Sequence, residues 1–286
     1  VGADRVLGVA EFGPADADRG VFWLHGTPGA RRQVPPAARR AADELGVRVI
    51  GVERPGTGAS TKHRYPEIRA FADDLAVVAD DVGLEHFGVI GLSGGGPYVL
   101  AAAHELPERV KAAVVLGGVA PSVGDDACAG GPVDLTRRLQ LLIDASRWPL
   151  GLAATGLFRV LKPFGHQAMG LYSRVSPEGD RIAFAVPGME EMFLDDLDNA
   201  AAHGGVHAAT NDLALFGRHW GFSVADIRVP VRFWHGDADH IVPLAHAERM
   251  AELVPGAELH VRHGESHLGT LVVGDEALRT VVDLWT

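Results

Sequence analysis

The stretch Phe87-Gly88-Val89-Ile90-Gly91-Leu92-Ser93-Gly94-Gly95-Gly96-Pro97 constrains the fold more than any other. Val89 and Ile90 are β-formers, and residues 98–106 can run as a helix. The strand must therefore become a helix within a few residues, and Gly91-x-Ser93-x-Gly95 occupies the turn. So sharp a turn lifts one serine above the sheet edge and forces its backbone into a strained conformation. The residues two before and two after must be nearly free of side chain, so that strand and helix can approach closely. Gly91 and Gly95 stand at those positions, in the G-x-S-x-G pattern of a nucleophile elbow. The plain alternative is a glycine-rich strand-to-helix turn that holds a phosphate, and the rest of the chain must decide.

Short apolar runs recur on both sides of the elbow. Residues 21–24, 47–52, 112–116, 231–234 and 258–261 read as strands, with 6–12 as an edge strand. Residues 37–45, 68–82, 244–253 and 276–285 read as helices. Strand, loop and helix alternating at this spacing predict an α/β fold, a mostly parallel sheet with helices on both faces. The alternation stops over 119–227, where helical segments and Gly/Pro breaks replace it. The chain thus divides into a core of 1–118 and 228–286 and a helical insertion of 119–227.

At 286 residues there is room for a large buried core. The net charge of −11 argues against nucleic acid or an anionic membrane as partner. Cys128 is the one cysteine, so no intrachain disulfide is expected, and no motif around it suggests a nucleophile. No signal peptide or long apolar run is visible, which points to a cytoplasmic protein.

In parallel sheets the reactive groups collect at the carboxyl ends of the strands. Four such ends carry chemistry here: His25-Gly26-Thr27-Pro28-Gly29, the elbow, Gly236-Asp237-Ala238-Asp239, and Gly264-Glu265-Ser266-His267. A serine hydroxyl is a weak nucleophile at neutral pH. It needs a base, and the base needs a partner that fixes its tautomer. Ser93, His267 and Asp239 fill those roles in the chain order Ser, Asp, His. Pro28 has no N–H, so the backbone donors able to hold an oxyanion are Thr27 and Gly94.

This constellation resembles the α/β-hydrolase superfamily over nearly the whole chain. The matching pieces are His25-Gly26-x-Pro28-Gly29, Arg54-Pro55-Gly56-x-Gly58-x-Ser60, the elbow, His235-Gly236-x-x-Asp239-x-x-Val242-Pro243 and Gly264-x-x-His267. The resemblance implies an eight-stranded sheet, with 119–227 as a helical cap after the sixth strand. The first strand has little chain available to it. Glu53 stands where many members carry Asp. Asp237 is the near rival for the acid and suits a loop cap. Asp125 or Asp126 would serve if the acid came from the sixth strand. His25 and His235 read as structural, bonding loop backbone.

The expected activity is hydrolysis of a small or medium apolar ester through an acyl-enzyme, without cofactor. Candidate substrate contacts are Pro28, Leu92 and Leu268 in the core and Trp148, Met192 and Phe216 in the insertion. The i, i+4 pairs His203/His207 and His263/His267 lack a third ligand, so no metal is expected. The run 189–198 reads as an amphipathic helix with Met189, Met192, Phe193 and Leu197 inward and its acids in water; the sharper reading is an acidic clamp for a substrate amine. Proline iminopeptidase-like, carbon–carbon bond and perhydrolase chemistry are all compatible with the same triad. A ligand-sensing, slowly turning-over relative is the reading from outside enzymology. Haloalkane dehalogenases and epoxide hydrolases use Asp as nucleophile, where this chain has Ser93.

Overall fold

In the computed structural model every residue is described except Ala3, Gly204 and Thr286; for Pro132, Val133, Ser173, Ala202 and His203 only the backbone is. The apolar runs form the middle of a sheet, where both faces need covering. Strands β1 (Val9–Phe12), β2 (Gly20–Leu24), β3 (Arg48–Val52), β4 (Phe87–Leu92), β5 (Val110–Leu116), β6 (Val231–Gly236) and β7 (Glu258–Arg262) lie in the order β1-β3-β2-β4-β5-β6-β7. β1 runs antiparallel to β3, and every other pairing is parallel. Both β2 and β4 are buried at every residue.

Alternate side chains on each strand enter different cores. Phe22, Leu24, Ile50, Val89 and Val115 pack with Phe71, Leu75, Tyr98, Val99 and Met250. Those partners come from α2 (Phe71–Asp81) and α3 (Gly96–Glu105), with Met250 from a later helix. Val21, Trp23, Val49, Ile90 and Val114 pack with Ala38, Ala41, Leu278 and Val281. Here the cover is α1 (Pro36–Leu45) and the last helix of the chain.

Between β5 and β6 run α4 (Gly131–Arg138), α5 (Gln140–Leu161), α6 (Gly165–Val175), α7 (Glu178–Ala185), α8 (Met189–His203) and α9 (His207–Phe216). α10 (Ala245–Leu253) and α11 (Gly274–Leu284) complete the chain. Among the described residues the segment 119–227 contributes no strand to the sheet. Among the described residues no helix is long and apolar enough to cross a membrane.

Among the described residues seven strands form where eight were expected. The expected edge strand 6–12 is also shorter, pairing only over Val9–Phe12. The preceding residues bond to loops instead. Val6 N–H donates to Thr61 Oγ1 at 3.0 Å, Gly8 N–H to Ser60 Oγ at 2.9 Å, and Arg5 reaches Asp74 at 2.5 Å. The substitution of Glu for Asp at position 53 is accommodated by missing side chains. The Glu53 carboxylate is fully buried, bonded to Arg31, Ser60 Oγ and Ala59 N–H, and a Cβ on Gly8 or Gly58 would collide with it.

Candidate active site

The elbow has the backbone its sequence demands. Among the described residues, Ser93 is the one non-glycine with a positive φ, at +50°. A Cβ on Gly91 would lie 2.6 Å from Val99 Cγ2 and 2.8 Å from the Gly95 carbonyl oxygen. One on Gly95 would collide with the carbonyl oxygen of Leu24 on the neighbouring strand. Close approach of β2, β4 and α3 thus requires both glycines, and it seats a strained serine at the carboxyl edge of the sheet.

The neighbouring strand ends supply its partners. His267 Nε2 lies 2.8 Å from Ser93 Oγ, and His267 Nδ1 lies 2.7 Å from Asp239 Oδ2. The other carboxylate oxygen, Oδ1, accepts from the N–H groups of Ile241 and Val242, each at 2.8 Å. Asp239 can therefore only accept at Oδ2, so Nδ1 of His267 carries the proton and Nε2 is free to receive one from Ser93. Burial alone would raise the Asp239 pKa, but contacts from His235 and His267 and the Val242 N–H hold it well below the usual carboxylate range. The acid stays ionised and supports an imidazolium when one forms.

Thr27 follows β2 and stands beside Gly94. A Cβ on Gly94 would collide with Thr27 Oγ1 and lie 3.1 Å from Phe216 Cζ. Gly94 lies in the middle of the turn Ser93–Gly95 that leads into α3. An N–H there sits at the positive end of a helix, the polarity an oxyanion needs.

Buried carboxylates from the insertion clasp these loops, and sequence reasoning missed that role. Asp212 on α9 accepts from Thr27 Oγ1 (2.6 Å), Arg54 Nη2 (2.7 Å) and the Tyr98 hydroxyl (2.7 Å). Asp196 on α8 accepts from the N–H groups of Ala30 and Arg32, both at 2.8 Å. Asp180 on α7 accepts from Ser266 Oγ and from Leu268 N–H at 2.8 Å, the residues on either side of His267. Asp196 corrects the expectation that all acids of 189–198 face water: it is fully buried. Met189, Met192 and Phe193 do turn inward. Nothing in the local sequence singles out Asp180, Asp196 or Asp212, each of which has polar or charged neighbours along its helix.

Other expected residues take separate places. Asp237 accepts from Gly264 N–H at 2.7 Å and meets His263 at 2.8 Å, so it ties a loop. Asp126 accepts from Val224 N–H at 2.8 Å, and the Asp125 carbonyl accepts from Arg249. His25 accepts the Arg54 N–H and meets the Gly26 carbonyl at 2.7 Å; His235 meets the Val242 carbonyl at 2.7 Å. The Cys128 thiol is half-buried beside the Ala245 carbonyl, and burial pushes its pKa up. Phe216 reaches the Gly94 turn, whereas Leu92 and Met192 pack into the core with Trp23 and Leu271. Pro28 is exposed and Leu268 half-buried. Trp148 joins neither group: it is exposed and lines a cavity whose lining does not include Ser93, Asp239 or His267. His207 lines the same cavity, and the side chain of His203 lies outside the described residues.

A family profile described as the alpha/beta hydrolase fold matches residues 21–271. The chain belongs to that family. This hydrolase is 29% identical over 220 residues to a pimeloyl-[acyl-carrier protein] methyl ester esterase of Aromatoleum aromaticum, covering 75% of this chain and 78% of the relative. It is 27% identical over 273 residues to the non-heme chloroperoxidase CPO-A1 of Kitasatospora aureofaciens, covering 90% and 88%. Its fold matches the enol-lactonase from Burkholderia xenovorans with a TM-score of 0.70 at 18% identity, over 99% of this chain and 97% of that one.

Proposed function

We propose that this hydrolase cleaves small or medium apolar esters through an acyl-enzyme on Ser93. The observation that carries the reading is the unbroken chain from Ser93 Oγ to His267 to Asp239, at 2.8 and 2.7 Å. Ser93 Oγ attacks the ester carbonyl carbon as its proton passes to His267 Nε2. The carbonyl oxygen becomes an oxyanion, held by the backbone N–H groups of Thr27 and Gly94. Collapse breaks the ester C–O bond, and the imidazolium returns its proton to the departing alkoxide. Water then attacks the acyl-Ser93, again losing its proton to Nε2, and the acid product leaves with Ser93 restored. Throughout, Asp239 keeps the imidazole oriented and offsets its transient charge. No step requires a cofactor.

Residues 119–227 serve as the cap and set the substrate. This assignment rests on α4 to α9 contributing no strand to the sheet and on Phe216 lying beside the Gly94 turn. The 27% identity to a non-heme chloroperoxidase favours a second reading, transfer of the acyl group to hydrogen peroxide on the same triad.

The test is turnover of p-nitrophenyl esters of increasing chain length. Ser93→Ala should lose about 10³-fold or more in kcat and all labelling by a fluorophosphonate. Undiminished hydrolysis by Ser93→Ala would sink the mechanism. Peracid formation from acetate and hydrogen peroxide reports on the second reading.

A further inference from the structure

We infer that the hydrolase binds a small organic anion, with a carboxylate or phosphate-monoester head and an aromatic or apolar body, in a cavity apart from the triad. The cavity holds about 450 Å³. It opens between the loop that carries Lys62, His63 and Arg64 and the cap helices that carry Arg147, Trp148 and His207. Among the described residues no carboxylate lines it. That is a local reversal of sign on a chain whose net charge is −11, and clustered like charges are costly unless something answers them.

The cations here are poorly answered by the protein. Neither Lys62 nor Arg64 has a carboxylate within 4.0 Å among the described residues. Arg147 approaches Asp144 only at 3.5 Å, and Asp144 is also bonded to Arg218. Arg147 Nε is buried and makes no hydrogen bond. A guanidinium with unspent donors beside two free cations suits a planar or tetrahedral oxyanion.

The rest of the lining suits an apolar body. Trp148 presents an exposed indole, and Asn211 offers an amide at the cavity edge. His207 is pushed below its ordinary pKa by burial and by the charge of Lys62, so it contributes a neutral ring. Arg147 also lines the narrow cleft that reaches Arg54 and Asp212, so the cavity abuts the network that holds Thr27. Binding in this cavity is independent of the chemistry at Ser93, which does not line it.

Isothermal titration with phenyl phosphate and with benzoate at low salt tests the inference, with benzyl alcohol as the uncharged probe. The expected result is saturable one-to-one binding of at least one anion and none of the alcohol. Lys62→Gln, Arg64→Gln and Arg147→Gln should each weaken binding about tenfold, the loss of one charge-assisted contact. Lys62 and Arg64 sit on an exposed loop, so those variants keep the test valid if Arg147→Gln folds poorly. Absence of saturation with either anion overturns the inference. So do dissociation constants unchanged within about twofold in both loop variants, or equal affinity for the alcohol.

Discussion

Replacing Asp212 with Ala should unfold this hydrolase at a markedly lower temperature. The carboxylate and its partner Arg54 are 2% and 3% exposed. Asp212 accepts from Arg54 Nε at 2.9 Å and Nη2 at 2.7 Å, from the Tyr98 hydroxyl at 2.7 Å and from Thr27 Oγ1 at 2.6 Å. Alanine removes the acceptor and leaves a guanidinium buried without its counter-charge. Breaking a buried pair in this way costs about 3–5 kcal/mol, because the remaining charge keeps its desolvation penalty. For a chain of this size, 1 kcal/mol moves Tm by about 2 °C. The expected fall is therefore roughly 6–10 °C by calorimetry, with a matching drop in the urea midpoint. Asp212→Asn keeps the shape but not the charge and turns N–H groups toward donors, so it should recover little. Arg54→Met is not a clean rescue, because Arg54 also donates to the carbonyls of His25 and Gly26. A second readout is kcat at 20 °C or below (~20 °C lies well under the expected transition), which should fall as Thr27 loses its anchor. An Asp212→Ala protein that melts within about 2 °C of wild type would refute the reasoning.

Asp180→Ala should free Ser266 and Leu268 and so loosen His267. A misplacement near 1 Å predicts a kcat loss of about 10²-fold, with slower fluorophosphonate labelling of Ser93; wild-type kcat in a folded variant would contradict it. Asp196 behaves differently because burial raises its pKa to about 7, against the lowering effect of the Ala30 and Arg32 N–H groups. Its native pKa lies above the unfolded value of about 3.9. Between about pH 4 and pH 7 the native state therefore holds a proton that the unfolded chain has released. Stability should fall across that window, by up to about 1.4 kcal/mol per pH unit, and level off above it. Asp196→Asn should flatten this slope in urea midpoints taken from pH 4.5 to pH 8 (roughly the window set by those two pKa values), and an unchanged slope would count against the assignment.

The readable parts of this protein are those in which a few consecutive residues decide a conformation. Gly91 and Gly95 announce a turn that only missing side chains permit, and Ser93 between them takes the strained φ of +50°. Each apolar run followed by a short polar loop marks the carboxyl end of a strand, so the sequence alone places Asp239 and His267 at strand ends near Ser93, where they lie. Asp239 is preferred to Asp237 on its spacing from His235-Gly236 and its place before Ile241-Val242-Pro243, and two backbone N–H groups of that turn hold its carboxylate. The edge of the sheet was less legible, because a strand there depends on which neighbour it finds. Residues 5–8 found Asp74, Ser60 and Thr61 in place of a further strand.

Sequence by itself determined the hydrolase fold and brought a serine, a histidine and an aspartate to adjoining strand ends, because backbone geometry follows from short-range sterics and apolar periodicity. Only the tertiary structure decided what those groups rest against. Asp180, Asp196 and Asp212 read as ordinary surface acids along their helices, yet each is buried against a loop far away in the chain. Whether an ionised side chain meets water or a set of N–H donors depends on which helix face is covered. That is settled by packing over separations such as the 158 residues between Arg54 and Asp212, across which no local pattern carries information. The cavity at Lys62, Arg64 and Arg147 has the same origin: its cations come from segments that only the folded chain brings together.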